Sequence, residues 1–374
     1  MERFSYAHHR TAGPYTVLQL IEPDDGYRQA ATTYARWRRT GVLVEDALPG
    51  LHRYELREGT GTNQVSAVGL VAAVAVEPAG RTAAARQIRA HEDTDPLRVA
   101  SRVARLRAVP VELSPVLGLT RALPSAVWAA LQPSPDGPVI AVVDEEGVEH
   151  SVGAITDPAR IRALVTALAD IRVVIADGHH RYAAAAALPA RRTMMLLLDA
   201  LTPILQVLPI HRAVRELPQD ALERLAADFT VTAAPGGAGG LAQAVAASGP
   251  ATFGLLRHGA PGAGPQAHVL RARDPSSLSA RLPTDRAPAW RALDAAILAE
   301  VVFGLLGVEP ATALPRTDPV RALAQMPQGG GMLLLRPVDA ATVFAVADAG
   351  EAMPAKTTLF RPKPRAGLLL RALP

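Results

Sequence analysis

Short apolar, β-branched runs alternate along this chain with stretches whose apolar positions recur every three or four residues. That alternation predicts strands interleaved with helices. Tyr27–Arg39 carries the helical period, and the glycine stop that follows it leaves Gly41–Val44 as a short strand. Val65–Glu77 is apolar and β-branched enough for a buried strand. Pro96–Val109 reads as a helix with Asp95 as cap and Pro96 in first position, and Asp157–Leu168 as another opened by Thr-Asp-Pro. A loop at Gln132–Pro138 leads into a strand at Val139–Val143, and further strands are expected at Met194–Leu198 and Ile204–Ile210. Asp294–Leu306 is a strongly apolar helix, with Asp294 as its cap and Glu300 as a surface charge. Ala233–Pro265 is dominated by Gly, Ala and Pro and reads as a variable connection. The fold class expected is α/β or mixed α+β, built on sheets.

The most informative segment is Arg172–Leu188. The run Val173-Val174-Ile175 stops at Asp177-Gly178, and His179, His180, Arg181 and Tyr182 precede an alanine run that Pro189 ends. This predicts a strand, a tight glycine turn and a helix whose first turn carries His179, His180 and Arg181. A helix N-terminus is already positive, so each cation there costs on the order of 0.3–1 kcal/mol unless an anion offsets it. A phosphate or carboxylate on the helix N-terminus is the simplest such anion. Two other readings stand beside this one. Asp177 can be an N-cap with Arg181 as its i+4 ion-pair partner, or Asp177, His179 and His180 can ligate a metal, although adjacent helical histidines point about 100° apart.

With 374 residues, 49% of them hydrophobic and 20% charged, the chain can bury one large or two moderate cores. It has no cysteine, which removes disulfides and thiolate chemistry. Without a signal-like N-terminus or an unbroken apolar span, a soluble cytoplasmic protein is the expectation. The pI of about 9.7 accompanies a net charge of only +4. The basic residues are almost all arginine, which does not deprotonate, so the high pI is weak evidence for nucleic acid. Only Lys356 and Lys363 are lysines, and both sit in Met353–Arg365. Lysine supplies a compact, mobile charge suited to phosphate, but it also discourages pairing at an exposed edge strand, here Thr357–Phe360.

Two further places can hold chemistry. His91-Glu92-Asp93-Thr94-Asp95 joins a histidine to three carboxylates before a capped helix, which suits a general base or magnesium, or is a solvated acidic turn. His211-Arg212 follows an apolar run, where sheet-end sites form. His8-His9-Arg10 reads as a flexible terminus.

Taken together, these segments resemble one prokaryotic family, that of domain of unknown function 1015. The resemblance is carried by His91-Glu92 with Thr94, Leu113-Ser114-Pro115, Thr156-Asp157-Pro158 and the Ala176–Tyr182 box. It continues in Leu208-Pro209-x-His211-Arg212 and in the closing Ala349–Lys363 box. It implies one family-wide unit over residues 1–374, with sub-regions 1–230 and 231–374. The chain departs from the pattern by beginning about where a longer N-terminal segment of its relatives would end. It also has Val99 and Ser101 where Lys and Asp are usual, and Glu112 in place of Asn. If those groups bind substrate or metal, specificity is altered or activity reduced.

The Gly-His-His-Arg box is also similar to the phosphate-binding box of the ParB and sulfiredoxin superfamily, some members of which phosphorylate free serine. That resemblance implies ATP or ADP, with or without Mg2+, and a nucleotide-dependent phosphotransferase acting on a small hydroxylated metabolite such as serine. Asp177, Gly178, His179, His180, Arg181, Lys356 and Lys363 are then the phosphate-binding candidates. His91, Glu92 and His180 are the catalytic candidates, and Ser114, His211, Arg212 and Thr357 line the substrate. Two alternatives remain: a ParB-like nucleotide-binding regulator associated with DNA, and a phosphatase or other hydrolase of a phosphorylated small molecule. A small-molecule substrate and a nucleotide are the expected partners; nucleic acid and membrane are not.

Overall fold

The computed structural model describes residues 15–21, 26–77, 86–189, 191–234, 236–259 and 264–373. His8-His9-Arg10 lies outside them. The chain forms two compact units. The first comprises residues up to Ala90, Thr94–Gln206 and Pro362 onward; the second comprises His91–Asp93 and Val207–Arg361. The boundary therefore falls between Gln206 and Val207 rather than at the expected 230/231, and each unit recruits a distant segment.

The first unit is built on an eight-stranded mixed sheet, which agrees with the expected sheet-based α/β class. Its strands are β1 (Leu51–Glu58), β2 (Val65–Ala75), β3 (Ile88–Ala90), β5 (Val116–Thr120), β6 (Val139–Val143), β7 (Glu149–Ile155), β8 (Val173–Asp177) and β9 (Arg192–Asp199). Their order is β3-β8-β5-β9-β2-β1-β7-β6. β3 runs parallel to β8 and β5 parallel to β9, and the other pairs are antiparallel. β8 and β9 are buried almost throughout, which explains why their sequences are apolar runs rather than alternating ones. A two-residue β4 (Val111–Glu112) pairs with the closing β18 (Arg371–Ala372), returning the C-terminal segment to the first unit.

The second unit carries a six-stranded antiparallel sheet in the order β12-β14-β13-β16-β11-β15. These strands are β11 (His211–Val214), β12 (Phe229–Ala233), β13 (Thr252–Arg257), β14 (Gln266–Ala272), β15 (Leu314–Arg316) and β16 (Gly331–Leu334). Beside it, β10 (Gln206–Pro209) pairs with β17 (Thr358–Arg361).

Helices begin where the sequence marks them. Asp95, Asp157, Asp274 and Asp318 each accept a backbone N–H, and each is followed by a proline in the first turn.

Several expectations are corrected. Gly41–Val44 is a turn, because the Leu43 N–H returns to the Trp37 carbonyl at 3.1 Å instead of entering a sheet. Ile204–Ile210 does not form one strand; β10 ends at Pro209, which has no N–H to donate, and β11 starts at His211. The Gly/Ala-rich region is folded: helix Gly237–Ala246 buries Leu241 and Val245, one turn apart, against Ala213, Leu256 and Met332. Asp294 is buried rather than a cap, held by the Arg336 guanidinium at 2.6 Å and the Ala251 N–H at 2.8 Å. The late helix contains a π turn at Leu298–Val302.

Candidate functional site

The expected strand–turn–helix is present in the first unit: β8 ends at Asp177, Gly178 turns, and the helix His179–Ala186 follows. Gly178 has φ 98°, a left-handed conformation that favours glycine. A Cβ there would also lie 2.8 Å from Arg181 Nη2 and 2.9 Å from its Nε, so the guanidinium folds over the turn. The first intrahelical bond runs from Tyr182 N–H to the Gly178 carbonyl, leaving the preceding N–H groups outside the helical ladder.

The cations of the turn converge on one acid. Arg181 Nη2 donates to Asp177 Oδ2 at 2.7 Å, and Lys363 Nζ donates to Oδ1 at 2.8 Å. Arg181 Nη1 also donates to Ser114 Oγ at 2.8 Å. Burial alone would raise the Asp177 carboxyl, but the charges of Arg181 and Lys363 outweigh it and hold the group well below the usual carboxylate range. Gly178, not Asp177, occupies the N-cap position and makes no side-chain cap bond. The i+4 pairing of Asp177 with Arg181 is as the bland sequence reading has it, with Lys363 added. His179 is buried, and His180 Nε2 accepts the Asp95 N–H at 3.1 Å, so its ring clasps the start of helix Pro96–Ala108. An open groove of about 530 Å³ runs between these two helices, and Val99 is among its lining residues with Val103 and Ala183.

The other candidates gather in the second unit. His91 is buried, its Nε2 3.0 Å from Thr358 Oγ1 and its ring edge-on to Phe360. Glu92 bridges to Met353 in the backbone, and its Oε1 accepts from Lys356 Nζ at 3.1 Å. Thr357 is buried and donates to the Pro354 carbonyl. His211 Nδ1 accepts the Leu335 N–H at 3.1 Å, which places any ring proton of the neutral form on Nε2. Burial, helped by Arg212, pushes its pKa down to about 4.

Lys363 belongs to the first unit and Lys356 to the second, each with its own carboxylate. Glu112 is likewise tied up, accepting from Arg371, Thr193 and Met194 within the first unit. Ser101 lies 3.2 Å from the Tyr27 hydroxyl. Among the described residues no group of three or more His, Asp or Glu side chains is arranged to hold a metal. No described helix is long and apolar enough to cross a membrane. Thr358 and the Asp95 N–H escape the sequence reading. The periodicity around them marks only strand and cap, and nothing in it names their histidine partners.

Among solved structures, the chain is similar to C-terminally truncated SbnI from Staphylococcus aureus, at 14% identity and a TM-score of 0.41, over 78% of this chain and 82% of that one. A variant of free serine kinase in complex with AMP matches at 13% identity and 0.40, over 75% and 88%. A conserved hypothetical protein from Pyrococcus furiosus matches at 14% and 0.37, over 75% and 91%. No curated protein matches the sequence. The model of the family described as Protein of unknown function (DUF1015) matches residues 5–296, most of the chain, and the chain belongs to that family.

Proposed function

We propose that this chain is a nucleotide-dependent phosphotransferase whose acceptor is a small hydroxylated metabolite, a free amino acid such as serine being the class to test first. The observation that carries the reading is the Asp177–Arg181 turn. A left-handed glycine, a helix N-terminus and two cations from separate segments meet at one point. Nucleotide phosphates suit that combination, because backbone N–H groups and mobile cations neutralise them together. Asp177 keeps Arg181 and Lys363 aimed at the turn in the absence of a phosphate. Asp177 and Glu92 each already hold a lysine, so any Mg2+ would be held chiefly through the nucleotide phosphates, whose charge it would neutralise.

Glu92 is the proposed general base. As the acceptor hydroxyl oxygen attacks the terminal phosphorus, its proton passes to Glu92 and the bond to the leaving phosphate breaks. Lys356, paired with Glu92 at 3.1 Å, holds the base in place within the second unit. His91, hydrogen-bonded to Thr358, steadies the segment that carries Glu92, and His180, accepting from the Asp95 N–H, steadies the glycine turn in the first unit. Arg212 and Thr357 support the Lys356 turn.

The test is a thermal-shift screen of ATP, ADP, AMP, CTP and phosphoserine with and without Mg2+, followed by product analysis. A hundredfold ligand excess over Kd stabilises by about 2.7 kcal/mol. Arg181→Ala should abolish the shift. Glu92→Gln should keep it and lower turnover by about 10²–10⁴-fold, the usual worth of a general base. A folded protein that no nucleotide stabilises refutes the proposal. Nucleotide binding with salt-sensitive DNA retention and no product favours the regulator, and cleavage of phosphoserine favours the hydrolase.

A further inference from the structure

We infer that Arg212 is a positioning residue that sets the main chain at Ala355-Lys356 so that the Lys356 ammonium meets Glu92; its catalytic meaning rests on the role of that pair proposed above. The argument starts from what this guanidinium does with its donors. Nη1 donates to the carbonyls of Ile210 at 2.9 Å, His211 at 3.4 Å and Lys356 at 3.1 Å, and Nη2 to that of Ala355 at 2.8 Å. A half-buried guanidinium commonly takes a carboxylate partner, for which its planar fork is suited. Here the fork staples β11 to the Pro354–Thr357 turn through main-chain oxygens.

That turn needs a staple. Lys356 has φ 60°, left-handed, in one of the few non-glycine residues of the described chain with positive φ. Such a conformation is unfavourable for a residue with a Cβ, and a glycine would relieve it. A lysine there spends conformational energy to put an ammonium at one place, in the manner of strained residues at functional sites. Thr357 Oγ1 donates to the Pro354 carbonyl and closes the same turn. Glu92 is fixed from its own side, since it bridges to Met353 and the Met353 N–H binds the His91 carbonyl at 2.8 Å. Both ends of the ion pair are therefore located by backbone hydrogen bonds, and Arg212 supplies those at the lysine end. Burial lowers the Arg212 pKa, and the charge of Glu92 opposes that shift.

Because Lys356 and Lys363 are the only lysines, reductive ¹³C-dimethylation of the full chain produces two lysine signals in an NMR spectrum, besides that of the N-terminal amine. Lys363→Arg assigns them, and Glu92→Gln shows where the Lys356 signal moves when its pair is lost. Arg212→Gln should move the Lys356 signal to that position and leave the Lys363 signal in place. Arg212→Lys, which keeps the charge without the fork, should give an intermediate shift if the variant with Gln proves unfolded. An unmoved Lys356 signal in a folded variant overturns the inference, as does an equal movement of both signals. In phosphotransfer, Arg212→Gln should lower kcat at least tenfold, with the nucleotide KM within about twofold, and should cost nothing more in a Lys356→Ala background. Additive losses would place Arg212 in some other role. Absence of turnover in the unmodified chain counts against the proposed function and leaves the NMR result to decide this one.

Discussion

Replacing Asp177 by Asn removes a single charge that two cations share. Oδ2 lies 2.7 Å from Arg181 and Oδ1 2.8 Å from Lys363, with side-chain exposures of 25% for the acid, 32% for the arginine and 48% for the lysine. Two unit charges about 4 Å apart at an effective dielectric near 20 attract by about 4 kcal/mol, before desolvation and screening are subtracted. Exposed pairs retain about 0.2–1 kcal/mol and hydrogen bonds to charged groups about 1.5–3 kcal/mol. The half-exposed lysine belongs near the first range and the more enclosed arginine near the second. The sum for Asp177→Asn is a loss of roughly 2–4 kcal/mol at pH 7 on these scales. The folded-state pKa of Asp177 is depressed. The contribution is therefore complete above the unfolded value near about 3.9 and is lost as pH falls through the lower folded value. Urea unfolding followed by the fluorescence of Trp37 and Trp128, both in the first unit, reads this in a Trp290→Phe background. Urea leaves the ion pairs unscreened, whereas guanidinium chloride would mask them. The stability gap between the chain with its native acid and the Asp177→Asn variant should shrink as the pH drops from about 4 towards 2. A gap below about 0.5 kcal/mol at pH 7, within the range of ordinary surface changes, would refute the reasoning. So would a gap that stays constant across the titration.

Three more outcomes follow from the same geometry. Gly178→Ala forces a Cβ onto a φ of 98° and into the Arg181 side chain. It should cost about 1–2 kcal/mol and, by displacing Arg181, weaken the proposed nucleotide binding at least tenfold by calorimetry; unchanged affinity would remove the turn from the proposed site. His211, with its pKa pushed down to about 4, is neutral when folded and takes a proton more readily when unfolded. The second unit should therefore lose up to about 3 kcal/mol as pH falls from about 6.5 towards 4. His211→Gln should flatten that slope in pH-dependent unfolding, and a slope that persists would assign it to another group. Glu112→Ala strands Arg371 and two further donors in a buried place, so a loss of about 3–5 kcal/mol is expected, measured as a lower urea midpoint. A change under about 1 kcal/mol would mean that water reaches those donors.

Legibility in the sequence followed the range of the physics. Asp95-Pro96 and Asp157-Pro158 announced their helices because capping is settled within a few residues. The turn at Gly178 was readable for the same reason. Ala233–Pro265 misled because glycine and alanine composition hides two anchors, Leu241 and Val245, whose worth depends on the sheet they cover. Asp294 looked like a cap from its place at the start of an apolar run, yet its partner Arg336 is 42 residues away.

The candidate site divides along the same line. The amino-acid sequence by itself determined the strand–glycine–helix box, the rarity of lysine and the family to which the chain belongs. All three are local patterns or compositions. Only the tertiary structure decided which acid each lysine meets: Lys363 with Asp177 across 186 positions, and Lys356 with Glu92 across 264. It also brought the Arg212 guanidinium onto the main-chain carbonyls of Ala355 and Lys356. Charges separated so far in the chain are brought together by sheet pairing and core burial, and no spacing rule within the sequence encodes the result.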